Sequence, residues 1–197
     1  MRSYLFPALG LIGLLATVPA SAADKAGDYS VRGVGSLKCS VFVDTVVGAK
    51  PELGTFIGYI DGVVTTASRL TPGVFDASPF ILPGPFSAIV MNICKQVPEQ
   101  IVDVAVRGAL EAVGKVRVTS NSPVVEMTVG QNRMNLRAET LRAVQTKLKA
   151  LKLLSSEPDG KFGAGTQEAL RRYQENNHLA VTSLPDPDTV LALLVRS

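Results

Sequence analysis

Residues 159–166 read Asp-Gly-Lys-Phe-Gly-Ala-Gly-Thr, a glycine-rich polar loop between two segments with apolar residues at helical spacing. The segment before the loop repeats its apolar residues every three or four positions, as one buried helix face requires: Leu141, Val144, Leu148 and Leu151. After the loop, Ala169, Leu170 and Tyr173 share a face of a helix predicted over residues 166–177. A third helix is predicted over residues 187–194, with Asp186 as its N-cap and Pro187 in its first turn. The C-terminal part of the chain is therefore predicted to be a three-helix module.

The loop itself has residues suited to a tight turn. Gly160 and Gly163 allow positive φ on either side of Phe162, whose ring is expected to fill the space between the helices. The Asp159 carboxylate can accept hydrogen bonds from nearby backbone amides, and Thr166 is a predicted N-cap of the second helix. These residues are interpreted mainly as scaffold, because turn residues usually serve the backbone.

The order and spacing of these residues resemble the three-helix peptidoglycan-binding domain that is appended to many cell-wall enzymes. The family pattern is matched in sequence order by Val144-Gln145, Asp159-Gly160, Phe162-Gly163, Thr166, Ala169-Leu170, Tyr173-Gln174, Leu179, Val181, Asp186, Thr189 and Leu193. The chain departs from the pattern at Lys152, His178 and Ser183, where the family commonly has glycine. Asn177 is expected to take the left-handed conformation in place of His178. The resemblance implies a peptidoglycan-binding module over residues 135–196.

A ligand of this module is expected beside the loop and the start of the second helix, where amides and polar side chains can receive carboxylates or sugar hydroxyls. The candidates come from the polar side of that helix: Thr166, Gln167, Arg171, Gln174 and Asn177. Arg171 is the natural partner for a stem-peptide carboxylate. The alternative interpretation of Arg171, a solvated helix face, has equal weight.

Residues 28–114 are predicted to form a helical bundle. Helices are expected around Cys39, over residues 52–70 after Pro51, through Ile89 and Ile93 to Cys94, and over residues 98–113, with a loop at 71–85. Gly54, Gly58 and Gly62 recur every fourth residue in the second helix, which favours close packing within the bundle or against a partner helix. Together with the C-terminal module, this predicts a mainly α fold.

The chain contains two cysteines, Cys39 and Cys94. In an exported protein they are predicted to form a disulfide that staples the first helix to the third. A metal site or a catalytic thiol lacks partners, because there is no CxxC pair and the single histidine lies in the other module. The two cysteines and the Gly-Tyr-Ile-Asp-Gly stretch at 58–62 resemble small periplasmic helical domains of the acid-chaperone and Rap1a-immunity type. That resemblance implies a protein-binding or chaperone-like role.

A β-hairpin is predicted over residues 115–130, between the two helical parts. Val116 and Val118 alternate with polar residues, a Thr-Ser-Asn-Ser-Pro turn follows, and Val125, Met127 and Val129 alternate again. Residues 130–132 are expected to be the joint to the C-terminal module.

Residues 1–22 are predicted to be a removable signal peptide. Arg2 precedes a short apolar run, and Ala20-Ser21-Ala22 is a small-x-small cleavage site. The run is shorter than the roughly 20 residues that span a membrane. We therefore expect cleavage after Ala22 and a periplasmic mature protein without a membrane anchor.

The composition is unfavourable for several function classes. Cleavage removes Arg2 and no acidic residue, so the formal charge falls from +3 to +2, too little to favour nucleic acid. A single histidine, scattered carboxylates and no cluster of zinc ligands predict no catalytic set, no metal and no cofactor.

Two functions remain. The first is a non-catalytic envelope protein that binds peptidoglycan through its C-terminal module and presents the N-terminal helical domain. The second is a periplasmic chaperone or inhibitor-type protein, binding another periplasmic protein, with a degenerate wall-binding module.

Overall fold

The computed structural model of the protein describes residue 24 and residues 28–196. The predicted signal peptide and its cleavage site after Ala22 lie outside the described residues. Within them the fold is mainly helical, with one two-stranded hairpin. In chain order the elements are α1 (Cys39–Val47), α2 (Leu53–Leu70), α3 (Pro83–Gln96), α4 (Val102–Ala112), β1 (Val124–Val129), β2 (Asn132–Arg137), α5 (Ala138–Ala150), α6 (Ala164–Asn176) and α7 (Pro187–Leu194).

The predicted disulfide is confirmed. Cys39 begins α1 and Cys94 lies in the last turn of α3; both are fully buried, with Cα atoms 4.8 Å apart. The Cys39 amide also donates to the Gln100 carbonyl at 2.7 Å, and the Ser40 amide donates to the Pro98 carbonyl at 3.0 Å. The disulfide and these two hydrogen bonds attach the start of α1 to both α3 and the turn before α4.

The fourth helix begins later than predicted. Pro98 does not occupy its first turn, since residues 98–100 form a turn and α4 starts at Val102. The physical reason is that the Pro98 and Gln100 carbonyls accept hydrogen bonds from the otherwise unsatisfied first amides of α1. A long-range contact therefore sets this helix boundary.

The Gly-Tyr-Ile-Asp-Gly stretch lies in α2, and its residues point in different directions. Ile60 is fully buried, whereas the Tyr59 hydroxyl donates to Asp103 at 2.6 Å. At Gly54, Gly58 and Gly62 the point where a Cβ would lie has no atom within 4 Å beyond the adjacent backbone of α2, so these glycines do not pack closely within the bundle. The expectation of close packing there is wrong; the glycine face of α2 is open.

The hairpin lies further along the chain than residues 115–130. Val124–Val129 pairs antiparallel with Asn132–Arg137, so Gly130 and Gln131 form the turn rather than an interdomain joint. Val118 instead pairs with Asp76 of the loop between α2 and α3, and residues 114–116 form a short 3-10 turn. Val116 and Val118 therefore belong to no strand of the hairpin, because the partner of Val118 is distant in sequence.

From Val31 onward the described chain forms one compact unit. A single cluster of buried apolar side chains extends from Cys39 in α1 to Leu193 in α7. The predicted domain boundaries at 28–114 and 135–196 stay predictions. Of the helices described, none combines the length and apolar character needed to cross a membrane.

Candidate functional site

The loop between α5 and α6 is organised by one buried side chain, Gln145. This α5 residue is 1% exposed, and its Oε1 accepts a hydrogen bond from the Gly160 amide at 2.7 Å. Its Nε2 donates to the Lys161 carbonyl at 2.8 Å, to Thr166 Oγ1 at 3.0 Å and to Asp159 Oδ1 at 3.1 Å. A primary amide is both donor and acceptor, so one side chain satisfies both kinds of backbone group in the loop.

Gly160 is required at its position for two independent reasons. Its φ is +75°, a left-handed conformation that favours glycine. A Cβ at this position would also lie 2.7 Å from the Ala138 carbonyl oxygen. Gly163 differs: its φ of −129° is extended, and the expectation of positive φ there is wrong. Gly163 instead precedes α6 as its N-cap.

Asp159 acts as predicted on the backbone. Its Oδ1 accepts from the Lys161 amide at 2.8 Å as well as from Gln145. These hydrogen bonds, the one from the Lys161 amide first, hold the pKa of Asp159 below its usual value. The ring of Phe162 is half-buried against the core, as its predicted role in filling the space between helices requires.

A second buried glutamine repeats this arrangement between α6 and α7. Gln174 is fully buried, and its Oε1 accepts from the Ser183 amide at 2.8 Å. Its Nε2 donates to the Leu184 carbonyl and to Thr189 Oγ1, both at 2.9 Å. In each loop the glutamine Oε1 binds the amide of a residue with positive φ, while Nε2 binds the next residue's carbonyl and a threonine six positions on. We call Gln145 and Gln174 the two glutamine staples.

Two of the five ligand candidates do not lie on the polar side of α6. Thr166 is 4% exposed and Gln174 is fully buried, and the side chains of both are engaged in the glutamine staples. Thr166 is also not the N-cap, because α6 begins at Ala164 after Gly163. The Thr166 hydroxyl accepts a hydrogen bond from Gln145 and none from an amide at the start of α6.

The other three candidates lie toward solvent. Arg171 is held by two carboxylates of its own helix, with Nη2 2.6 Å from Glu168 Oε1 and Nη1 paired with Glu175. The hydrogen bond to Glu168 is the main reason that the pKa of Arg171 is raised. Asn177 is exposed and donates from Nδ2 to the Tyr173 carbonyl at 2.8 Å, and Gln167 is half-exposed. The structure thus does not gather the five candidates into one cluster.

A shallow depression of about 180 Å³ lies beside the loop. Its lining includes the charged residues Glu157, Asp159 and Lys161, together with Phe162, Gly163 and Gly165. The N-terminus of α6 opens at this depression and has no side-chain cap, whereas the side chain of Asp186 caps α7 by accepting from the Thr189 amide at 2.9 Å. The depression therefore combines backbone donors with side chains of both charges.

Comparison with known families identifies the C-terminal part. Residues 137–193 match the putative peptidoglycan binding domain family. The match covers β2's last residue and α5 to α7, including both glutamine staples. It supports peptidoglycan as the partner of this part of the chain. No curated protein and no solved structure gives a significant match to the chain.

The three positions at which the matched part departs from the glycines of the family pattern have left-handed backbone conformations. Lys152, His178 and Ser183 have φ of +60°, +55° and +57°. Asn177 has a φ of −110°, so the expected shift of the left-handed position from His178 to Asn177 is wrong. L-residues disfavour this conformation. At Lys152 and His178 it accompanies helix-terminal hydrogen bonds, from the Leu153 amide to the Leu148 carbonyl and from the Leu179 amide to the Gln174 carbonyl, both at 2.9 Å. At Ser183 the amide is held by Gln174.

The sequence carried a signal for the glutamine staples. Gln145 lies between Leu141 and Leu148 on the buried face of α5, and Gln174 follows Tyr173 on the buried face of α6. A polar residue within an apolar stripe is informative, because burial demands hydrogen-bond partners. Within the described residues no group of three or more His, Cys, Asp or Glu could hold a metal ion.

Proposed function

We propose that the protein is an exported, non-catalytic envelope protein that attaches its N-terminal helical domain to peptidoglycan through residues 137–193. The single observation that carries the proposal is the match of these residues to the putative peptidoglycan binding domain. The predicted signal peptide supports export to the periplasm, where peptidoglycan is accessible.

The depression beside the α5–α6 loop is the proposed contact surface. Both glutamine staples hold their loops through buried hydrogen bonds, so the surface is formed before a ligand arrives. The uncapped amides of α6 and the Lys161 ammonium can receive a stem-peptide carboxylate. Gln167, in the first turn of α6 outside the lining of the depression, can bind sugar hydroxyls. Arg171 has a smaller proposed role than the sequence suggested, because two glutamates already pair with it.

Co-sedimentation of the mature protein with purified sacculi tests wall binding. We expect the wild type to enrich in the pellet, and Lys161→Ala and Gln167→Ala each to weaken binding about fivefold, corresponding to ~1 kcal/mol. Lys95→Ala in α3 is the matched control for charge. Absence of the wild type from the pellet would defeat the proposal, and undiminished binding of both variants would move the site elsewhere.

Zymography on the same sacculi tests the non-catalytic part of the proposal. We expect no clearing, because the sequence offers no paired catalytic groups. The control is a mock purification from cells that lack the protein. Clearing by the purified wild type but not by this control would show that the protein cuts the wall.

One observation favours the alternative, a protein-binding role of the chaperone or inhibitor type. The open glycine face of α2 adjoins an apolar groove lined by Gly58, Gly62, Val63 and Leu110, with Leu70 65% exposed at its end. Such a surface suits an apolar segment of another protein. This alternative predicts that the mature protein suppresses light scattering by an unfolded client, and that Gly62→Arg, which fills the groove, abolishes the effect.

A further inference from the structure

A cavity of about 470 Å³ lies at one side of α2, beneath the loop of residues 71–82. Its volume is within the range of small-molecule sites in proteins. The buried rings of Phe80 and Phe86 provide apolar wall, whereas Asp61, Asp76 and Arg137 provide charge. The cavity thus combines apolar walls with polar and charged groups, and both are used by ligand sites to bind and orient small molecules.

The charged groups in this cavity are not paired with one another. None of Asp61, Asp76 and Arg137 takes part in an ion pair with any residue that the structure describes. Arg137 Nη1 donates to Asn121 Oδ1 at 2.8 Å and to the Ser122 carbonyl at 2.7 Å, so its hydrogen-bond partners are neutral. Its guanidinium lies 4.7 Å from the centre of the Phe75 ring. Arg137 is thus held in place by neutral groups, with Asp76 near enough to attract it but not bonded to it.

The two carboxylates are in a similar situation. Asp76 accepts one hydrogen bond, from the Ser78 amide at 3.0 Å, while Asp61 accepts none among the described residues. Burial raises the pKa of both carboxyl groups, and at Asp76 the hydrogen bond from the Ser78 amide and then the charge of Arg137 oppose this only in part. Neither carboxylate forms an ion pair with a described residue, so a ligand ammonium group would stabilise the charged form of both.

The cavity is held open by the protein itself. Ser68 Oγ of α2 accepts from the Ala77 amide at 2.9 Å, which attaches the loop to the helix. On its other side the loop bonds to Val118, whose amide donates to the Asp76 carbonyl at 2.9 Å, and Phe80 forms a bridge with Leu136. A preformed cavity avoids much of the entropic cost of ordering a loop around a ligand.

We propose that this cavity binds a small zwitterion, an amino acid or a dipeptide. The ligand's ammonium group faces Asp61 and Asp76, its carboxylate faces Arg137, and its aliphatic side chain packs against Phe80 and Phe86. Charges of both signs lie unpaired in one cavity, and a ligand that carries both signs complements all of them. The site is independent of the proposed wall-binding surface.

An NMR titration of the full mature protein with a panel of the common amino acids and their dipeptides tests the proposal. We expect amide shifts at Thr65, Phe75 and Ile81 around the cavity with at least one member. The N-acetylated and C-amidated forms of the best member should each bind about tenfold or more weakly, because each loses one charge-assisted hydrogen bond. Failure of the whole panel to shift these amides, or equal binding of the capped forms, overturns the proposal.

Variants assign the two ends of the ligand. Asp61 is exposed and makes no hydrogen bond with the described residues, so Asp61→Asn should leave folding unchanged and weaken binding about tenfold. Glu52→Gln, which changes an exposed carboxylate before α2, is the control. Arg137→Lys tests the guanidinium end of the site through its effect on ligand binding, and Arg133→Lys on the same strand is its control. If Arg137→Lys misfolds, the C-amidated ligand still tests the guanidinium end, and unchanged binding by Asp61→Asn would itself sink the proposal.

Discussion

Replacing Gln145 by leucine is the sharpest test of the loop architecture. Leucine keeps the apolar bulk of the side chain but provides neither the acceptor for the Gly160 amide nor the donor for the loop oxygens. The Gly160 amide is buried where it meets Gln145, so leaving it without a partner costs about 1–3 kcal/mol. The hydroxyl of buried Thr166 loses a hydrogen bond that contributes about 1 kcal/mol to stability. Asp159 and Lys161 are exposed, so their oxygens can accept hydrogen bonds from water instead.

The expected loss is therefore about 2–4 kcal/mol of unfolding free energy. For a chain of this length that corresponds to a fall in Tm of about 5–15 °C. Urea denaturation followed by circular dichroism measures the global effect, and amide exchange at Gly160 measures local opening of the loop. Gln131→Leu, in the exposed hairpin turn, is the matched control. A Gln145→Leu protein with unchanged stability and a protected Gly160 amide would refute the role assigned to Gln145.

Three further predictions concern the C-terminal part of the chain, two of them its turns and one the start of α5. Replacing Lys152, His178 and Ser183 together by glycine should raise the free energy of unfolding by about 1–3 kcal/mol, because relief of the left-handed conformation exceeds the added entropy of the unfolded chain. The control Lys149→Gly, inside α5, should lower it. A triple variant no more stable than wild type would contradict the strain argument. Gly160→Ala should destabilise the protein by about 2 kcal/mol or more, because residue 160 has positive φ and the new Cβ would lie 2.7 Å from a backbone oxygen. Thermal melting measures this loss, and equal Tm values for variant and wild type would exclude it. Partial burial raises the pKa of Glu139, but hydrogen bonds from Ser120 and Thr119 outweigh it and lower that pKa to about 2. The stability that these hydrogen bonds provide should be present above pH 4.5 and lost as pH falls toward 2. Glu139→Gln should flatten the dependence of stability on pH in that window, and an unaltered dependence would argue against this role of Glu139.

The C-terminal helices could be predicted from the sequence because their signals are local. The third helix is expected over residues 187–194 with Asp186 as its cap, and α7 has these bounds and this cap. Apolar spacing, a capping aspartate and a first-turn proline all lie within a few residues of one another. Local agreement of this kind needs no knowledge of the partner helices.

The errors occur where a distant residue decides local structure. Thr166 has the sequence of an N-cap, but a hydrogen bond from Gln145 makes it a buried residue of the first turn of α6. Val118 alternates like a strand residue, but its partner is Asp76 rather than the hairpin. The error at residues 177–178 is of another kind, because the bonds of this turn are local: propensity favours Asn in the left-handed conformation, yet His178 adopts it.

The candidate site shows the same division. Turn chemistry assigns Asp159, Gly160 and Phe162 to the scaffold, and their contacts agree with it. The choice of Gln174 as a ligand residue assumes that a polar side chain on a helix faces solvent. Its place beside Tyr173 signals burial, but its hydrogen-bond partners lie in a loop about ten residues further along the chain, which helical periodicity does not identify.

The glutamine staples separate loop length from loop anchoring. One staple closes the connection of residues 151–163 and the other closes the shorter connection of residues 177–186. Each glutamine side chain bonds only to the later part of its connection and to a threonine of the helix that follows. Ser155 and Ser156, in the earlier part of the longer connection, make no hydrogen bond to Gln145 and are exposed. A peptide inserted between these two serines would thus be displayed from a rigid base beside the depression, which makes the α5–α6 connection a natural graft point for epitopes or reporter tags.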